Sequence, residues 1–367
     1  MTCPPSSLRA GGEFEFSPEA YRGRARIELA ARFAGQTSLW TDTGRSALLI
    51  AAAAIRSRGG KARAWVPAFS CASIAQPFLQ AGFEIQYYSA EARFGRERDL
   101  LPEPQKGETL LFIHYFGHRN RFMAQAAGQF RAAGVWVIED SVQGSLMPAA
   151  DACGDFEVTS YRKLLPVTDG AALFSEAPLD LRTVGLALEP ADEPFVSARM
   201  LGKVIRAASA EAKDFLPLLE YAEARLSDRI KPRSMSWLSE WMMERLDWDA
   251  AIAKRRANWL ELTKRLGKTG LAARLQPVFD SLQDNDAPLG LPVRVAGGRR
   301  DDLRRYLAGS EIFCPVHWPL DHLPDDGAFR DERELASAVL TLPVDQRMSA
   351  AHVGRVIEVL NSYFDKT

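Results

Sequence analysis

An acidic and a basic side chain in neighbouring segments of the sequence together suit one kind of chemistry. The apolar run 135–139 leads into Asp140, and Lys163 lies in the following segment among small and polar residues. A lysine amine can condense with the aldehyde of pyridoxal 5′-phosphate (PLP), and a carboxylate can keep the pyridine nitrogen of that cofactor protonated. The pair therefore predicts PLP chemistry, with Lys163 as the Schiff-base residue and Asp140 as the partner of the ring nitrogen.

Polar residues beside this pair fit the same hypothesis. Gln143 follows Asp140 and is expected near the phenolic oxygen of the ring, while Ser160 or Thr159, just before Lys163, is expected at the phosphate. Asp140 should emerge at the carboxyl edge of a sheet, where open α/β folds bind ligands. Taken singly, Asp140 is also compatible with an ordinary strand end, and Lys163 beside Arg162 with a solvated basic pair.

The turn at Gly44 is a second candidate site. The segment TDTGRSAL at 41–48 is a glycine-containing turn that runs directly into a helical pattern. The free amides and the dipole of a helix N-terminus suit a phosphate group. Gly44 permits close approach of the backbone, and Arg45 and Ser46 add donors. The alternative is a simple helix N-cap without a ligand.

His114 and Tyr115 lie at the end of another apolar run, 109–116. Both are candidates for substrate contact. The alternative for His114 is a core histidine whose ring nitrogens are paired within the protein.

Short apolar runs alternate with helical patterns from about residue 46 to residue 203. The predicted strands are 63–69, 83–88, 109–116, 135–139 and 171–174, and the predicted helices between them are 46–57, 73–82 and 121–133. Strand and helix in alternation predict an α/β fold, with a mainly parallel sheet covered by helices on both faces.

The pattern changes in the last part of the chain. It is helical from about 207 to 266, with a break near Pro232, and then becomes α+β, with a strand at 291–295 and a closing helix at 350–364. We therefore expect two domains, a large cofactor-binding domain with an N-terminal arm at 1–245 and a smaller C-terminal domain at 246–367.

Composition excludes several classes of function. The 367 residues carry 46 basic and 47 acidic side chains, so no net field attracts nucleic acid or anionic lipid. The longest strongly apolar run, 47–55, is too short to cross a bilayer, and the first residues lack the pattern of a secretion signal. Four scattered cysteines and five scattered histidines predict reduced thiols in a cytoplasmic protein and no metal site.

Several motifs in the same order resemble the DegT/DnrJ/EryC1/StrS family of PLP-dependent sugar aminotransferases, which have the aspartate-aminotransferase fold (type I). The resemblance covers roughly residues 35 to 362. The matching segments are GRSAL at 44–48, VPAFSCAS at 66–73, HYFG at 114–117, IEDSVQ at 138–143, SYRK at 160–163, TDGA at 168–171, CPVHWPL at 314–320 and TLPVDQR at 341–347.

The resemblance implies an enzyme that moves an amino group from an amino acid donor such as glutamate to a keto acceptor, here a nucleotide-linked keto sugar. Lys163 would carry the Schiff base and shuttle a proton, Asp140 would pair with the ring nitrogen, and Gln143 would lie near the ring oxygen. Gly44, Arg45 and Ser160 would hold the phosphate. Family members are homodimers whose active sites lie at the interface, so a partner subunit is expected to complete the pocket.

The sequence departs from the family pattern at three places. Cys71 stands where the family stacks an aromatic ring on the cofactor, and Arg45 replaces the phosphate-binding threonine. The segment 155–163, which leads to Lys163, is shorter than in the family, and the family's GEGG sequence beyond the lysine is reduced to DGA at 169–171. These departures motivate an alternative, a non-catalytic or regulatory member that binds a sugar or a partner. A nicotinamide-dependent Rossmann enzyme is disfavoured, since no GxGxxG follows the first strand.

Overall fold

A computed structural model describes residues 8–21, 25–33, 36–89, 103–148, 152–208, 213–226, 229–325 and 327–366. Its strands are β1 (Ala10–Gly11), β2 (Thr37–Thr41), β3 (Arg63–Pro67), β4 (Glu84–Tyr88), β5 (Thr109–Ile113), β6 (Trp136–Asp140), β7 (Phe156–Val158), β8 (Ala171–Ser175), β9 (Leu275–Pro277), β10 (Leu291–Val295), β11 (Ile312–Phe313) and β12 (Val339–Leu342). Its α-helices are α1 (Leu29–Arg32), α2 (Gly44–Ser57), α3 (Ala75–Gln80), α4 (Arg121–Ala132), α5 (Leu181–Val184), α6 (Glu193–Ala208), α7 (Leu216–Ala224), α8 (Trp237–Met243), α9 (Trp248–Lys268), α10 (Arg300–Gly309), α11 (Arg330–Ala338) and α12 (Ala350–Phe364).

The larger sheet has seven strands in the order β2-β8-β7-β6-β5-β3-β4. The strands from β7 to β4 run parallel, as predicted. The predicted strand at 171–174 is present as β8, but it runs antiparallel to both of its neighbours, β7 and β2. The sheet is therefore mainly parallel with an antiparallel strand near one edge, and β2 and β7 were not predicted.

The strand predicted at 109–116 ends earlier, at Ile113. The chain turns sharply beyond it, since Phe116 has φ 55° and Gly117 has φ 81°. A Cβ atom on Gly117 would lie 2.0 Å from the carbonyl oxygen of Ala287, so only glycine fits this close approach. The turn removes His114 and Tyr115 from the strand.

Alternate residues of the central strands pack against helices on opposite faces of the sheet. In β5, Leu111 and Ile113 belong to the core that includes the alanine-rich helix α2. Leu110 and Phe112 point the other way, into a cluster with Met123 of α4. This two-residue period is that of a strand buried on both faces.

A second, antiparallel sheet lies in the C-terminal part of the chain, in the order β12-β10-β9. Its core includes Trp259 and Leu262 of α9 and Leu360 of α12. The predicted division between residues 245 and 246 falls between α8 and α9 and stays a prediction. The N-terminal strand β1 crosses this division and pairs in parallel with β11.

Cys71, Cys153 and Cys314 are free thiols, whereas Cys3 lies outside the described residues. The structure groups no His, Cys, Asp and Glu side chains into a potential metal site in the part of the chain that it describes. Of the helices in the described ranges, none has the length and apolar composition needed to cross a membrane.

Candidate active site

A cavity of about 390 Å³ opens at the carboxyl edge of the parallel strands. The last residues of three adjacent strands, Ile113, Asp140 and Val158, contribute to its wall. Parallel strands present their carboxyl ends on one side, so residues distant in sequence meet there. Seven residues predicted from the sequence line this cavity: Gly44, Arg45, Cys71, Asp140, Gln143, Ser160 and Lys163.

Lys163 is the last residue of a short 3-10 turn that starts at Tyr161. The Tyr161 ring is fully buried and packs against Trp40 and Trp248, with ring centroids 5.8 and 5.2 Å away, which anchors the turn. The Lys163 side chain is exposed to the cavity while protein surrounds it. These low-dielectric surroundings lower its pKa, and the nearby charges of Cys71 and Asp140 partly oppose that effect. A larger fraction of the amine is therefore neutral, and nucleophilic, than in a free lysine.

Asp140 ends β6 and is 6% exposed. Burial raises the pKa of its carboxyl group, while the N–H of Val142, which donates to Oδ1 at 2.9 Å, and the charge of Lys163 oppose the rise. Glu139 points to the other face of the sheet, where it accepts from the backbone N–H groups of Cys153 and Gly154. The strand alternation thus gives the two neighbouring acids separate roles, one in the cavity and one in the core.

Gln143 carries a buried donor at the cavity wall. Its Oε1 accepts from the backbone N–H of Phe116 at 2.7 Å, which fixes the amide plane. Its Nε2 has no hydrogen-bond partner among the described residues, although the residue is only 2% exposed. A buried unpaired donor costs free energy unless a ligand supplies an acceptor, so the position suits a ligand oxygen.

The N-terminus of α2 forms another part of the wall. Thr43 caps the helix by accepting from the N–H of Ser46 at 3.3 Å, and Gly44 and Arg45 line the cavity. Arg45 Nη1 donates to Oε1 of Gln76 at 3.0 Å, which orients the guanidinium. This part of the cavity combines a helix N-terminus with a fixed positive charge, which favours an anion.

Three predicted site residues do not line the cavity. The buried Ser46 Oγ accepts from Thr43 Oγ1 at 3.2 Å and so completes the cap. His114 is fully buried and pairs through Nε2 with Glu139 at 3.1 Å, while its Nδ1 accepts from a backbone N–H. Tyr115 is buried and donates to the carbonyl oxygen of Phe69 at 2.7 Å. His114 is therefore a core histidine with both ring nitrogens paired, and the predicted substrate contacts of His114 and Tyr115 are corrected to structural roles.

The sequence interpretation missed three side chains in the wall. Arg162 was treated only as a neighbour of Lys163, although it lines the cavity. Trp318 lies in the CPVHWPL motif, which was recognised as a motif but given no role. Glu223 comes from α7, whose sequence carries no motif that connects it with Lys163. The remaining lining residues are Thr43, Leu48, Ser73, Ile74, Ile113, Val142, Val158 and Leu226.

The chain is similar over almost its whole length to solved aminotransferase structures. DesV from S. venezuelae, solved with a ketimine intermediate, is 18% identical; the match covers 96% of this chain and 91% of that chain, with a TM-score of 0.63. A putative sugar aminotransferase from Streptococcus pneumoniae in its PLP form is 14% identical, with 98% and 99% covered and a TM-score of 0.70. A DegT DnrJ EryC1 StrS aminotransferase from Brucella abortus is 18% identical, with 95% and 91% covered and a TM-score of 0.60. No protein-family model and no curated protein matches the sequence.

These similarities establish the fold. The chain has the α/β fold of the PLP-dependent aminotransferases of type I, with a mainly parallel sheet, as the resemblance to the DegT/DnrJ/EryC1/StrS family predicted. The residues of the cavity, rather than the fold alone, carry the case for an activity.

Proposed function

We propose that this protein is a PLP-dependent aminotransferase. The observation that carries the proposal is that Lys163 and Asp140 line one cavity together with the N-terminus of α2. Amine, carboxylate and anion site are the three groups that PLP chemistry needs, and the fold brings them together from three separate segments.

The residues of the cavity fit this cofactor. When bound, PLP supplies an aldehyde that condenses with an amine and a ring that withdraws electrons from the attached amino acid. Gly44, Arg45 and Ser160 would hold the phosphate, Asp140 the ring nitrogen, and the Nε2 of Gln143 the ring oxygen. The unpaired Nε2 supports an oxygen ligand at this position.

Lys163 has two tasks in this proposal. Its neutral amine would bind the cofactor aldehyde, and as a free amine it would accept the proton from Cα of the amino acid and return it. The lowered pKa of Lys163 suits both tasks because each begins with an amine that is able to accept a bond or a proton. Asp140 stays beside the ring nitrogen and stabilises its positive charge.

The donor we propose is an amino acid such as glutamate, and the acceptor a keto sugar linked to a nucleotide. One similar protein supports the sugar, since its structures in the PLP and in the PMP form are both called those of a putative sugar aminotransferase. Transfer of the amino group in two half-reactions predicts ping-pong kinetics.

We also propose a homodimer with shared active sites. Exposed apolar side chains on α6, α7 and α8 support a partner surface: Leu201 (49% exposed), Leu216 (41%), Tyr221 (51%) and Trp237 (68%). Helix α7, which carries Leu216 and Tyr221, also contributes Glu223 to the cavity. Sedimentation of the purified protein tests the proposal, and a monomer at micromolar concentration would contradict it.

Absorption spectroscopy tests the activity. Protein mixed with PLP should develop the visible band of a lysine-bound cofactor, Lys163→Ala should lack it, and the exposed-lysine variant Lys264→Ala should keep it. Addition of glutamate should bleach the band, and a keto sugar should restore it. No band at saturating PLP would overturn the proposal, whereas a band that no amino donor bleaches would favour the non-catalytic alternative.

A further inference from the structure

Arg162 and Glu223 form an ion pair at the wall of the cavity, with side chains that are 20% and 49% exposed. Nη1 of Arg162 donates to Oε1 of Glu223 at 2.8 Å, and both side chains line the wall near Lys163. The pair joins two distant parts of the chain, the turn that carries Lys163 and helix α7. Neither residue is needed by the proposed chemistry as described above.

A second arginine also binds the carboxylate of Glu223. The same Oε1 accepts from Nη1 of Arg199 at 2.6 Å, and the buried Arg199 donates to both carboxylate oxygens of Glu13 at 3.0 Å. Lys203, which is fully buried, also pairs with Glu13. Arg199 would therefore keep its bonds to Glu13 if Glu223 lost its charge, whereas Arg162 would lose the carboxylate that holds it.

The cavity wall carries more positive than negative charge around the α2 N-terminus. Arg45 and Arg162 both line it, and the charge of Arg162 contributes, after burial, to lowering the pKa of Arg45. Glu223 partly neutralises this positive region. A doubly negative ligand group would compete with Glu223 for Arg162, since a guanidinium binds phosphate through two parallel N–H donors.

We propose that Glu223 is an internal competitor of the ligand's phosphate group, and that the Arg162–Glu223 pair opens when a phosphate monoester binds at the α2 N-terminus. Arg162 then donates to the phosphate, while Glu223 stays with Arg199. Glu223 is thus a specificity-determining residue. It weakens phosphate binding, and in the absence of phosphate it neutralises part of the positive charge in the cavity wall. The inference rests on the proposed function for the identity of the phosphate carrier, which is the cofactor.

Calorimetry with 4-deoxypyridoxine phosphate tests this inference, because that compound has the phosphate but no aldehyde and does not depend on Lys163. Unphosphorylated 4-deoxypyridoxine is the matched neutral probe, and glutarate is the carboxylate probe. The variants are Glu223→Gln and Arg162→Gln. Glu220→Gln is the control, since Glu220 is exposed on the same helix and the substitution removes the same charge.

We expect Glu223→Gln to bind the phosphorylated probe about fivefold more tightly and Arg162→Gln to bind it at least about tenfold more weakly. Affinity for unphosphorylated 4-deoxypyridoxine should change less than about twofold in both, and Glu220→Gln should match the wild type. Weaker phosphate binding by Glu223→Gln would overturn the inference, as would equal changes for both pyridoxine probes or a gain for glutarate alone. A missing visible band with PLP would contradict the aminotransferase proposal and leave these binding results valid.

Discussion

The side chain of Lys163 has an open cavity on one side and packed protein on the other. Its pKa lies below the ordinary lysine value of 10.5 because burial disfavours the ammonium form. The charge of Asp140 acts in the opposite direction and stabilises the ammonium. The carboxylate therefore reduces the neutral fraction of the amine, in addition to any contact with a cofactor ring.

This balance predicts the effect of Asp140→Asn on the cofactor-free protein. Acetylation of Lys163 by acetic anhydride requires the neutral amine, so its rate rises with pH with a midpoint at the pKa. Loss of the Asp140 charge should move that midpoint to lower pH, as followed by mass spectrometry of the Lys163 peptide. Glu220→Gln, which removes an exposed charge, should leave the midpoint unchanged. A midpoint that stays or rises in Asp140→Asn would refute the electrostatic role.

Residue chemistry made part of the site predictable. Lys163, Asp140 and Gln143 were found because their residue types and order match a known motif, and the turn at Gly44 because helix N-termini bind anions. Arg162 was visible but ambiguous, since a basic pair is usually solvated. Glu223 was not predictable, because its contacts with Arg162 and Arg199 depend on how α7 packs and leave no local pattern.

At the scale of elements, the segment after β11 brings an aromatic side chain to the cavity. Cys71, at the position where the family has an aromatic ring, does not provide one. Trp318 lines the same cavity as Cys71 and packs on Phe69 and Tyr115, with ring centroids 5.4 and 6.3 Å away. Next to it, His317 is neutral near physiological pH, because burial and then the charge of Lys163 lower its pKa to about 3. The C-terminal segment thus adds an apolar, uncharged surface to the wall.

Trp318→Ala should therefore weaken PLP binding by about tenfold, since stacking of an aromatic ring is worth about 1 kcal/mol beyond its buried area. Trp318→Phe should retain most of the affinity because it keeps an aromatic face. The dissociation constant of PLP, measured by absorbance titration, provides the comparison. Leu260→Ala alters an apolar side chain of α9 that is 53% exposed and outside the proposed partner surface, and it should not affect the constant. Equal losses in the two alanine variants would argue against a stacking role.

Elements differed in how far the sequence predicted them. The closing helix α12 coincides with its predicted range and α2 lies within two residues of it, since both have strong periodicity and good helix formers. Strand β7 has three residues, too few for a periodic signal. The direction of β8 was not predictable because parallel and antiparallel strands have the same alternation of apolar side chains, and the direction depends on its partners.

At the scale of the whole molecule, the N-terminal segment is held to the C-terminal half by charged groups. Arg347 Nη1 donates to Glu15 at 2.6 Å, and Arg347 Nη2 donates to Asp345 at 2.8 Å. Arg347 also binds the backbone carbonyl oxygens of Gly11 and Glu13. Arg347 thus helps to hold the N-terminal arm in place. The same arm carries Glu13, which binds Arg199.

Arg347→Met should lower the free energy of unfolding near neutral pH by about 2 kcal/mol, because it removes the hydrogen bonds and the positive charge that Arg347 supplies to Glu15 and Asp345. Although burial opposes it, Arg347 lowers the pKa values of both Glu15 and Asp345. The stability that these acids contribute is therefore present above their ordinary pKa values and is lost as the pH falls through the lowered ones.

Urea unfolding near neutral pH and at about pH 3 measures both effects. The wild type should lose more stability in acid than Arg347→Met, because the variant lacks the part of the lowering of the two pKa values that Arg347 causes. Arg355→Met is the control, since Arg355 is 43% exposed and its nearest carboxylate, Glu358, is 3.9 Å away. An acid response that is the same in Arg347→Met and in the wild type would contradict this account.

The pairing of β1 with β11 has a consequence for synthesis in the cell. Ala10 aligns with Ile312, so the first strand has no partner until more than three hundred further residues have been made. At about 5–20 residues per second, the ribosome needs roughly 15 to 60 s for that length. The arm therefore lacks its strand partner for most of translation. Its contacts with α6 need far less of the chain, since Glu13 can reach Arg199 and Lys203 once α6 has been made. The support of Glu223 can thus form before β1 finds its place in a sheet.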